Sequence, residues 1–469
     1  MHDSRLLQTL RKLSPKDLRA LRDAARNPLW NPRPEVAALA GYVVDLLLHP
    51  RPPVRAFVKT RVWDAVFPGK TYSEKELRYF MSWLLDVVRR YLAAAELERD
   101  PAMEKILLCR ALRARGLDEL FEKEQKEALR LLDNDPQRDA RNHYQRYLLR
   151  QENIEQHART RRTEGIDFQP LADDLTAFYA AEILRHACSS RMQETVARRS
   201  YQFSLLPAVL DAAEQGVFRE SPVVEIFFAA YRTQDGEEKY FLALKRLLDD
   251  FWQQLSSDDM RGLYLLAINF CIRKMNAGEA AYIREALDLY RSALERNLLT
   301  ENGHLTGFTY KNIVRLAAHL NEIAWAESFL ETYKPLLHPR ERDNAYRYNL
   351  AFLYFQQEKY VNVLPLLQTV DLDDRLNNLD ARRMLLRCYY ELGEFQALDS
   401  HLEAFTTYIR RQKDLGYHKE NYLNLIRFTK KLLEATTGDK RKIHLLLAEL
   451  EATAQVAEKK WLLSKLAGG

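Results

Sequence analysis

The chain has 469 residues, more than one ordinary core supports, because single cores stop growing near about 250–300 residues; several domains or a repeat array are required. Only 15 Gly and 16 Pro occur, too few for the tight turns of a sheet-rich protein, while 47% hydrophobic and 29% charged residues argue against a disordered chain and for helices. The formal charge is +5, and residues 1–100 carry 18 Lys and Arg against 12 Asp and Glu, an excess too small to demand nucleic acid as a partner.

No stretch approaches the roughly 18 consecutive apolar residues of a membrane span. The N-terminal MHDSRLLQTLRKL is charged and amphipathic, without the apolar core of a secretory signal, so a soluble, cytoplasmic protein that does not engage a membrane is expected. Cys109, Cys188, Cys271 and Cys388 each stand alone in helical context. That spacing indicates neither a disulfide framework nor a metal knuckle, and the four are expected to be core thiols.

In chain order, helix starts are written plainly. Ser14-Pro15-Lys16-Asp17 combines a capping serine, proline at the first helical position and an acid in the first turn. Ser73-Glu74-Lys75-Glu76 has the form of a capping box and predicts a helix to about Arg99, and Asp100-Pro101 opens the next. Residues 1–130 are expected to form an N-terminal helical bundle. Within it, residues 52–92 have the outline of a helix-turn-helix, but the five-residue turn Pro68–Tyr72 is long for one. The second helix is also apolar on several sides, through Phe80, Met81, Trp83, Leu84, Leu85, Val87 and Val88, which favours a buried bundle helix.

Near Asp135-Pro136 a long polar helix is predicted, running to the basic run His157, Arg159, Arg161 and Arg162 and ending at Gly165. From about residue 170 apolar residues recur at three and four, as in Leu175, Phe178, Tyr179 and Ile183, and helices follow one another across short turns. Residues 131–260 are read as helical hairpins that begin a solenoid, and 261–469 as its continuation with C-terminal capping helices. The expectation is an all-α chain, at least about 60% helical, with no sheet of three or more strands.

Phosphate-loop, dinucleotide, nucleophile-elbow and zinc-helix motifs are absent, so no enzyme and no cofactor are expected. Glu301 and His304 have the Glu-x-x-His spacing of a di-metal site, but a single copy across a glycine reads as a solvated turn. Glu182 and His186 read as a surface pair on one helix face. Asp371-Leu372-Asp373-Asp374 lacks the glycine and distal glutamate of a calcium loop and reads as helix capping. The basic run at 157–162 reads as a solvated helix end.

Two segments align at an offset of 35 residues: Tyr348–Tyr360 and Arg383–Phe395, with Leu350, Tyr354 and Tyr360 matching Leu385, Tyr389 and Phe395. A third copy over Ile313–Ala326 places Leu320–Ala326 at the hairpin turn and the start of a second helix. The pattern resembles the tetratricopeptide repeat over about residues 260–436, most strongly over 344–410. It departs from that family at Arg347, where Trp is usual, and at Leu386, Val363 and Leu398, where small residues are usual.

The resemblance implies an α-solenoid whose ligand-facing positions lie on the first helix of each hairpin. Carried over position by position, they are Phe308, Lys311, Asn312, Arg315 and His319; Tyr348, Asn349, Phe352 and Phe355; and Arg383, Arg387 and Tyr390. Asn312 and Asn349 take the sixth position, where peptide-clamping members grip a ligand backbone with an amide. Phe308, Ala345 and Asp380 stand where those members carry a cation at the second position, and Met384 replaces the third sixth-position residue. Phe308, Lys311, Asn312, Arg315, Tyr348, Asn349, Phe352, Arg383, Arg387 and Tyr390 are therefore expected to line one exposed concave surface of a non-catalytic scaffold. Its partner is expected to be a protein that presents an acidic or C-terminal segment. The rival reading is a nucleic-acid-associated regulator with a DNA-contacting N-terminal domain and a sensor domain of repeats. Oligomeric state is left open.

Overall fold

A computed structural model describes the chain except at residues 2, 52, 161–164, 198–199, 369, 371–373, 413–414, 436–439 and 468–469. Arg161 and Arg162 of the basic run, and Asp371 and Asp373 of the acidic one, lie outside the described residues. The fold is all-α and 76% helical, with 23 α-helices and one two-stranded hairpin among the described residues. The chain divides into two compact units, residues 1–225 with 253–255, and residues 226–252 with 256–469.

The first unit begins with α1 (Arg5–Leu10), α2 (Pro15–Arg26), α3 (Pro34–Leu48), α4 (Lys59–Val66) and α5 (Glu74–Glu98). The Ser14 hydroxyl accepts from Asp17 N at 3.1 Å while the Asp17 carboxylate accepts from Ser14 N at 3.3 Å, so two orphan donors at the start of α2 are satisfied reciprocally. Ser73 caps α5 by accepting from Glu76 N at 3.3 Å. Helix α5 packs on α2 and α3; Leu84 and Val88 are fully buried and Phe80, Met81, Trp83 and Leu85 are partly buried against the same core. Trp63 of α4 meets Phe67, Tyr72 and Phe80 at ring centroid distances of 4.7, 5.9 and 6.4 Å.

Helices α6 (Pro101–Ala114), α7 (Asp118–Asn134) and α8 (Ala140–Thr160) share a smaller core of Ile106, Cys109, Leu112, Phe121, Ala128, Leu132 and Leu149. Helix α8 starts at Ala140, later than Asp135-Pro136 suggests. The intervening turn is held instead by the Arg138 guanidinium, which donates to the carbonyls of Leu132, Asp133 and Asp135, and Asp139 provides the cap by accepting from Asn142 N at 3.0 Å. Helices α9 (Gln169–Ala197) and α10 (Leu206–Glu214) follow. On α9, His186 Nε2 lies 3.3 Å from a carboxylate oxygen of Glu182 one helical turn away, the histidine exposed and the glutamate half-buried.

Helix α11 (Pro222–Thr233) crosses the division between units, and the second unit continues with α12 (Glu238–Asp250), α13 (Ser257–Asn276) and α14 (Ala281–Glu295). Strands β1 (Thr300–Glu301) and β2 (His304–Leu305) pair antiparallel. Asn302 and Gly303 close them with φ of 51° and 78°, the two left-handed residues that a tight hairpin turn needs. The Glu301–His304 segment, read from sequence as a solvated turn, is thus a short hairpin, and Glu301 pairs with Arg261.

Next come α15 (Gly307–His319), α16 (Ile323–Tyr333), α17 (Arg342–Gln356), α18 (Tyr360–Leu367), α19 (Arg375–Glu391), α20 (Phe395–Arg411), α21 (Tyr417–Ala435), α22 (Lys440–Ala452) and α23 (Lys459–Ala467). Helices α13 and α14, α15 and α16, α17 and α18, and α19 and α20 pack as pairs, and α15 also touches α17, which touches α19. All four pairs turn in the same way. Gly278, Asn321, Glu358 and Gly393 take φ of 94°, 59°, 58° and 73°, and the next residue's N–H bonds back five residues, from Glu279 to Lys274, Glu322 to Ala317, Lys359 to Tyr354 and Glu394 to Tyr389. This is the six-to-one closure of a helix C-terminus, which requires one residue in the left-handed region and so suits glycine. The three-residue match at an offset of 35 found in sequence corresponds to two of these turns, at Glu358 and Gly393.

Val363 and Leu398, larger than the family's small residues, are fully buried in the hairpins. The four cysteines are buried and lie outside any disulfide. Burial pushes the Cys109 thiol up to about 11 and the Cys271 and Cys388 thiols to about 12, which leaves them protonated and unreactive at neutral pH.

Candidate functional site

The first helices α15, α17 and α19 carry all ten residues singled out by the repeat alignment. The structure distributes them among two grooves and one ion cluster, all within the second unit.

The first groove, about 620 Å³, is bounded by Phe308 and Lys311 of α15, Tyr348 and Asn349 of α17, and Asp374 and Asn377 at the start of α19. Asn349 is only 2% exposed. Its Nδ2 donates to the carbonyl of Ala345 at 2.7 Å, a bond within its own helix that fixes which end of the amide is nitrogen. Its Oδ1 is buried and accepts no hydrogen bond. A buried acceptor left without a donor costs about 1–3 kcal/mol. Asn349 borders the groove, but its unpaired oxygen is covered from solvent. Lys311 Nζ donates to Asn377 Oδ1 at 2.9 Å, a neutral partner. Burial, and then the neighbouring Arg315, hold its pKa below that of an ordinary lysine. Phe308, 67% exposed, forms the outer wall.

The second groove, about 560 Å³, runs along the other side of α15 and is mainly apolar, with Ile272, Met275 and Ile283 facing Phe308, Asn312 and Leu316. Asn312 is hydrogen-bonded to the Tyr290 hydroxyl, whose pKa is raised by burial and lowered in part by this bond.

The ion cluster joins α15, α17 and α19 to the segment entering α23. Arg315 donates to the Tyr348 hydroxyl at 2.8 Å and to Asp380 at 2.7 Å, and Tyr348 donates to the same carboxylate at 2.7 Å. Arg383 donates to the other Asp380 oxygen at 2.9 Å and pairs with Glu458. Arg387 reaches Glu458 at 3.2 Å and the Tyr360 hydroxyl at 3.0 Å. Burial pushes the Asp380 pKa up, but Arg383 and Arg315 outweigh it and hold the carboxyl below its usual range. The guanidiniums of Arg383 and Arg387 each lie 5.1 Å from the centre of the Phe355 ring, and that of Arg315 lies 4.8 Å from Phe352. Tyr390 stands edge-on to Trp461 at 5.2 Å, and Trp461 Nε1 donates to Glu391 at 2.6 Å.

One exposed surface carrying all ten residues, as expected from sequence, is not what forms. Asn349 is buried, as is Met384, its equivalent one hairpin later, whereas Asn312 at the matching position of α15 lines the second groove. The Arg383 and Arg387 side chains are 13% and 19% exposed and are paired inside the chain. Asp380 stood out in the sequence as an acid where the family has a cation. Glu458 and Trp461 carried no signal, because they lie some 70 residues along the chain from their partners.

A second polar constellation lies in the first unit. His143 Nε2 is 3.1 Å from Ser221 Oγ and His143 Nδ1 is 3.3 Å from Asp174 Oδ1, while Arg150 donates to the other Asp174 oxygen at 2.6 Å. The order serine, histidine, carboxylate is that of nucleophilic hydrolases. Ser221 is only 5% exposed, however, so its hydroxyl is withheld from solvent, and the chain of bonds ties α8 to α9 and to the start of α11. No motif announced it, because the three residues are far apart in sequence.

Comparison with protein-family models, with curated proteins and with solved structures finds no match to this chain. Among the described residues no group of histidine, cysteine and acidic side chains is placed to hold a metal ion, and no helix is long and apolar enough to cross a membrane.

Proposed function

We propose that the second unit is a solenoid similar to tetratricopeptide arrays and serves as a non-catalytic scaffold that holds an extended segment of a partner protein in the groove between Phe308, Lys311, Tyr348 and Asn349. The observation that carries this reading is the unpartnered Asn349 Oδ1 beside the groove, which reaches a ligand when the side chain turns outward from its bond to Ala345. It matches a backbone N–H of an extended chain, and the nearby Lys311, whose hydrogen-bond partner is a neutral amide, matches a carboxylate. The hairpin turn repeated at Gly278, Asn321, Glu358 and Gly393 supports the repeat architecture. A cytoplasmic location belongs to the same reading and is supported by the free thiols of Cys109, Cys271 and Cys388, the state that a reducing compartment maintains.

The test places a photo-crosslinking phenylalanine analogue at Phe308, the exposed wall, in cells. Crosslinks to one defined protein segment, lost in the Asn349→Ala variant, support the reading; crosslinks to nucleic acid, or none above those of an analogue placed at exposed Leu445, overturn it. Asn349→Ala should weaken that segment by about 1–3 kcal/mol, the cost of leaving a buried N–H unpaired. It should change the stability of the unliganded chain by less than about 1 kcal/mol, because the lost bond lies within one helix and the unpaired oxygen leaves with it. Calorimetric titration and urea unfolding read the two effects separately.

Affinity for a carboxylate-bearing segment should also fall as the pH rises toward alkaline values. The fall should begin below the range near pH 10.4 where an ordinary lysine loses its proton. The cause is the depressed pKa of Lys311: once neutral, it no longer attracts the carboxylate. Binding measured from about pH 7 to 10 should show the decline in the wild type and a flat profile in Lys311→Met.

A further inference from the structure

The three candidates on α19, Arg383, Arg387 and Tyr390, are all covered by the chain's own C-terminal segment, through Glu458 and Trp461. We propose that the Arg383–Arg387 pair is a second carboxylate subsite, that Glu458 occupies it as an internal substitute for an acidic side chain or C-terminal carboxylate of the partner segment, and that such a segment binds by displacing Glu458. The inference rests on the reading of the α15–α17 groove as a segment-binding site and adds a regulated extension of it along α19.

Three observations carry it. The first is chemical. Glu458 presents one oxygen to Arg383 and the other to Arg387, so its carboxylate bridges two guanidiniums. Paired arginines of this kind recognise a carboxylate by geometry as well as by charge.

The second is the charge balance. Arg315, Arg383 and Arg387 face Asp380, Glu458 and, across 3.4 Å from Arg387, the exposed Glu358. Three guanidiniums balance three carboxylates, and displacement of Glu458 leaves one positive charge in excess, which favours an incoming acid.

The third is conformational. Glu458 sits immediately before α23 with φ of 54°, a left-handed conformation unfavourable for a residue with a Cβ. Its backbone is held there by the helix start itself, since its carbonyl accepts from Leu462 N at 3.0 Å. The helix itself need not move. Trp461, Leu462 and Leu466 are buried in the core of the C-terminal hairpins, whereas the Glu458 side chain is held by ion pairs at the rim. The gate is therefore a side-chain exchange at the helix start, with α23 as a fixed base.

The probe is a fluorescein-labelled hexaglutamate peptide with a free C-terminal carboxylate, compared with an amidated hexaglutamine peptide by fluorescence anisotropy. Glu458→Gln removes the competing charge and keeps the side-chain shape and an acceptor oxygen. It should bind hexaglutamate at least about tenfold more tightly than the wild type does, with no change for hexaglutamine, and Glu458→Gln/Arg387→Gln should lose the gain. Equal affinity of wild type and Glu458→Gln for hexaglutamate overturns the gate; if both also lose that affinity in Asn349→Ala, the groove reading survives. Absence of binding to either protein overturns both. Should Glu458→Gln fail to fold, the side-chain carboxyl signal of Glu458 in wild-type protein carrying 13C-labelled glutamate decides the matter. A shift under saturating hexaglutamate toward the position of a solvent-exposed carboxylate supports displacement, and an unchanged signal rejects it.

Discussion

Asp380→Ala should destabilise the second unit by about 3–5 kcal/mol, the usual loss when one member of a buried ion pair is removed and its partner is left uncompensated. Asp380 accepts from Arg315, Tyr348 and Arg383, three donors on three different helices. Without it two guanidiniums face one another in a desolvated space, and Glu458 alone cannot serve both, because Arg315 does not reach it. Asp380→Asn, which retains an acceptor oxygen and the side-chain shape, should lose less.

The effect also has a pH signature. The folded-state pKa of Asp380 is lowered, so its contribution is fully present above about pH 4, where the unfolded carboxylate ionises, and is lost as the pH falls through the lowered value. Asp380→Ala should therefore narrow the stability difference from wild type under acid conditions. Urea unfolding followed by hydrogen exchange on α15, α17 and α19 assigns the loss to this unit. A variant within about 1 kcal/mol of wild type at neutral pH would show that the cluster is not a source of stability.

Trp63→Ala should destabilise the first unit by about 3–5 kcal/mol, the range for truncating a large buried aromatic side chain. Trp63 is 1% exposed and touches Phe67, Tyr72 and Phe80, so the cavity left behind opens between α4 and α5. Its Nε1 also donates to the carbonyl of Lys70 at 2.9 Å, and this bond fastens the Pro68–Tyr72 turn to α4. Trp63→Phe keeps most of the packing and loses that bond, so its cost should be smaller, with faster hydrogen exchange concentrated at residues 67–72. A loss below about 1.5 kcal/mol for Trp63→Ala would mean that α4 and α5 collapse into the space.

Helix class and several helix starts were legible because they depend on neighbours in sequence. Ser14, Ser73 and Asp100 each accept a backbone N–H three residues on, at 3.1, 3.3 and 3.0 Å, so the whole interaction lies inside a four-residue window. The start of α8 was not legible in the same way. Proline after Asp135 looks like a first helical residue, yet the Arg138 side chain fastens the turn and moves the cap to Asp139. The hairpin at Glu301–His304 had its turn residues in plain view, Asn302 and Gly303, but its strands are two residues each and too short for any alternating pattern.

The repeat was read from apolar positions, and the shared turn conformation at Glu358 and Gly393 accounts for the 35-residue offset. Glu358 itself gave no turn signal, since glutamate is disfavoured in the left-handed region; the closure from Lys359 N to Tyr354 O at 2.9 Å holds it there.

The candidate site divides along the same line. The sequence determined which residue types stand on the first helices, Asn349 and three arginines among them, because a helical period of 3.6 places them on one strip of surface. Only the tertiary structure decided which of them remain available. The neighbouring helices buried Asn349, Asp380 neutralised Arg315, and Glu458 returned from the far end of the chain to cover Arg383 and Arg387. Periodicity is a property of one helix, whereas burial and charge pairing depend on contacts between residues distant in sequence. No single segment carries the information for them.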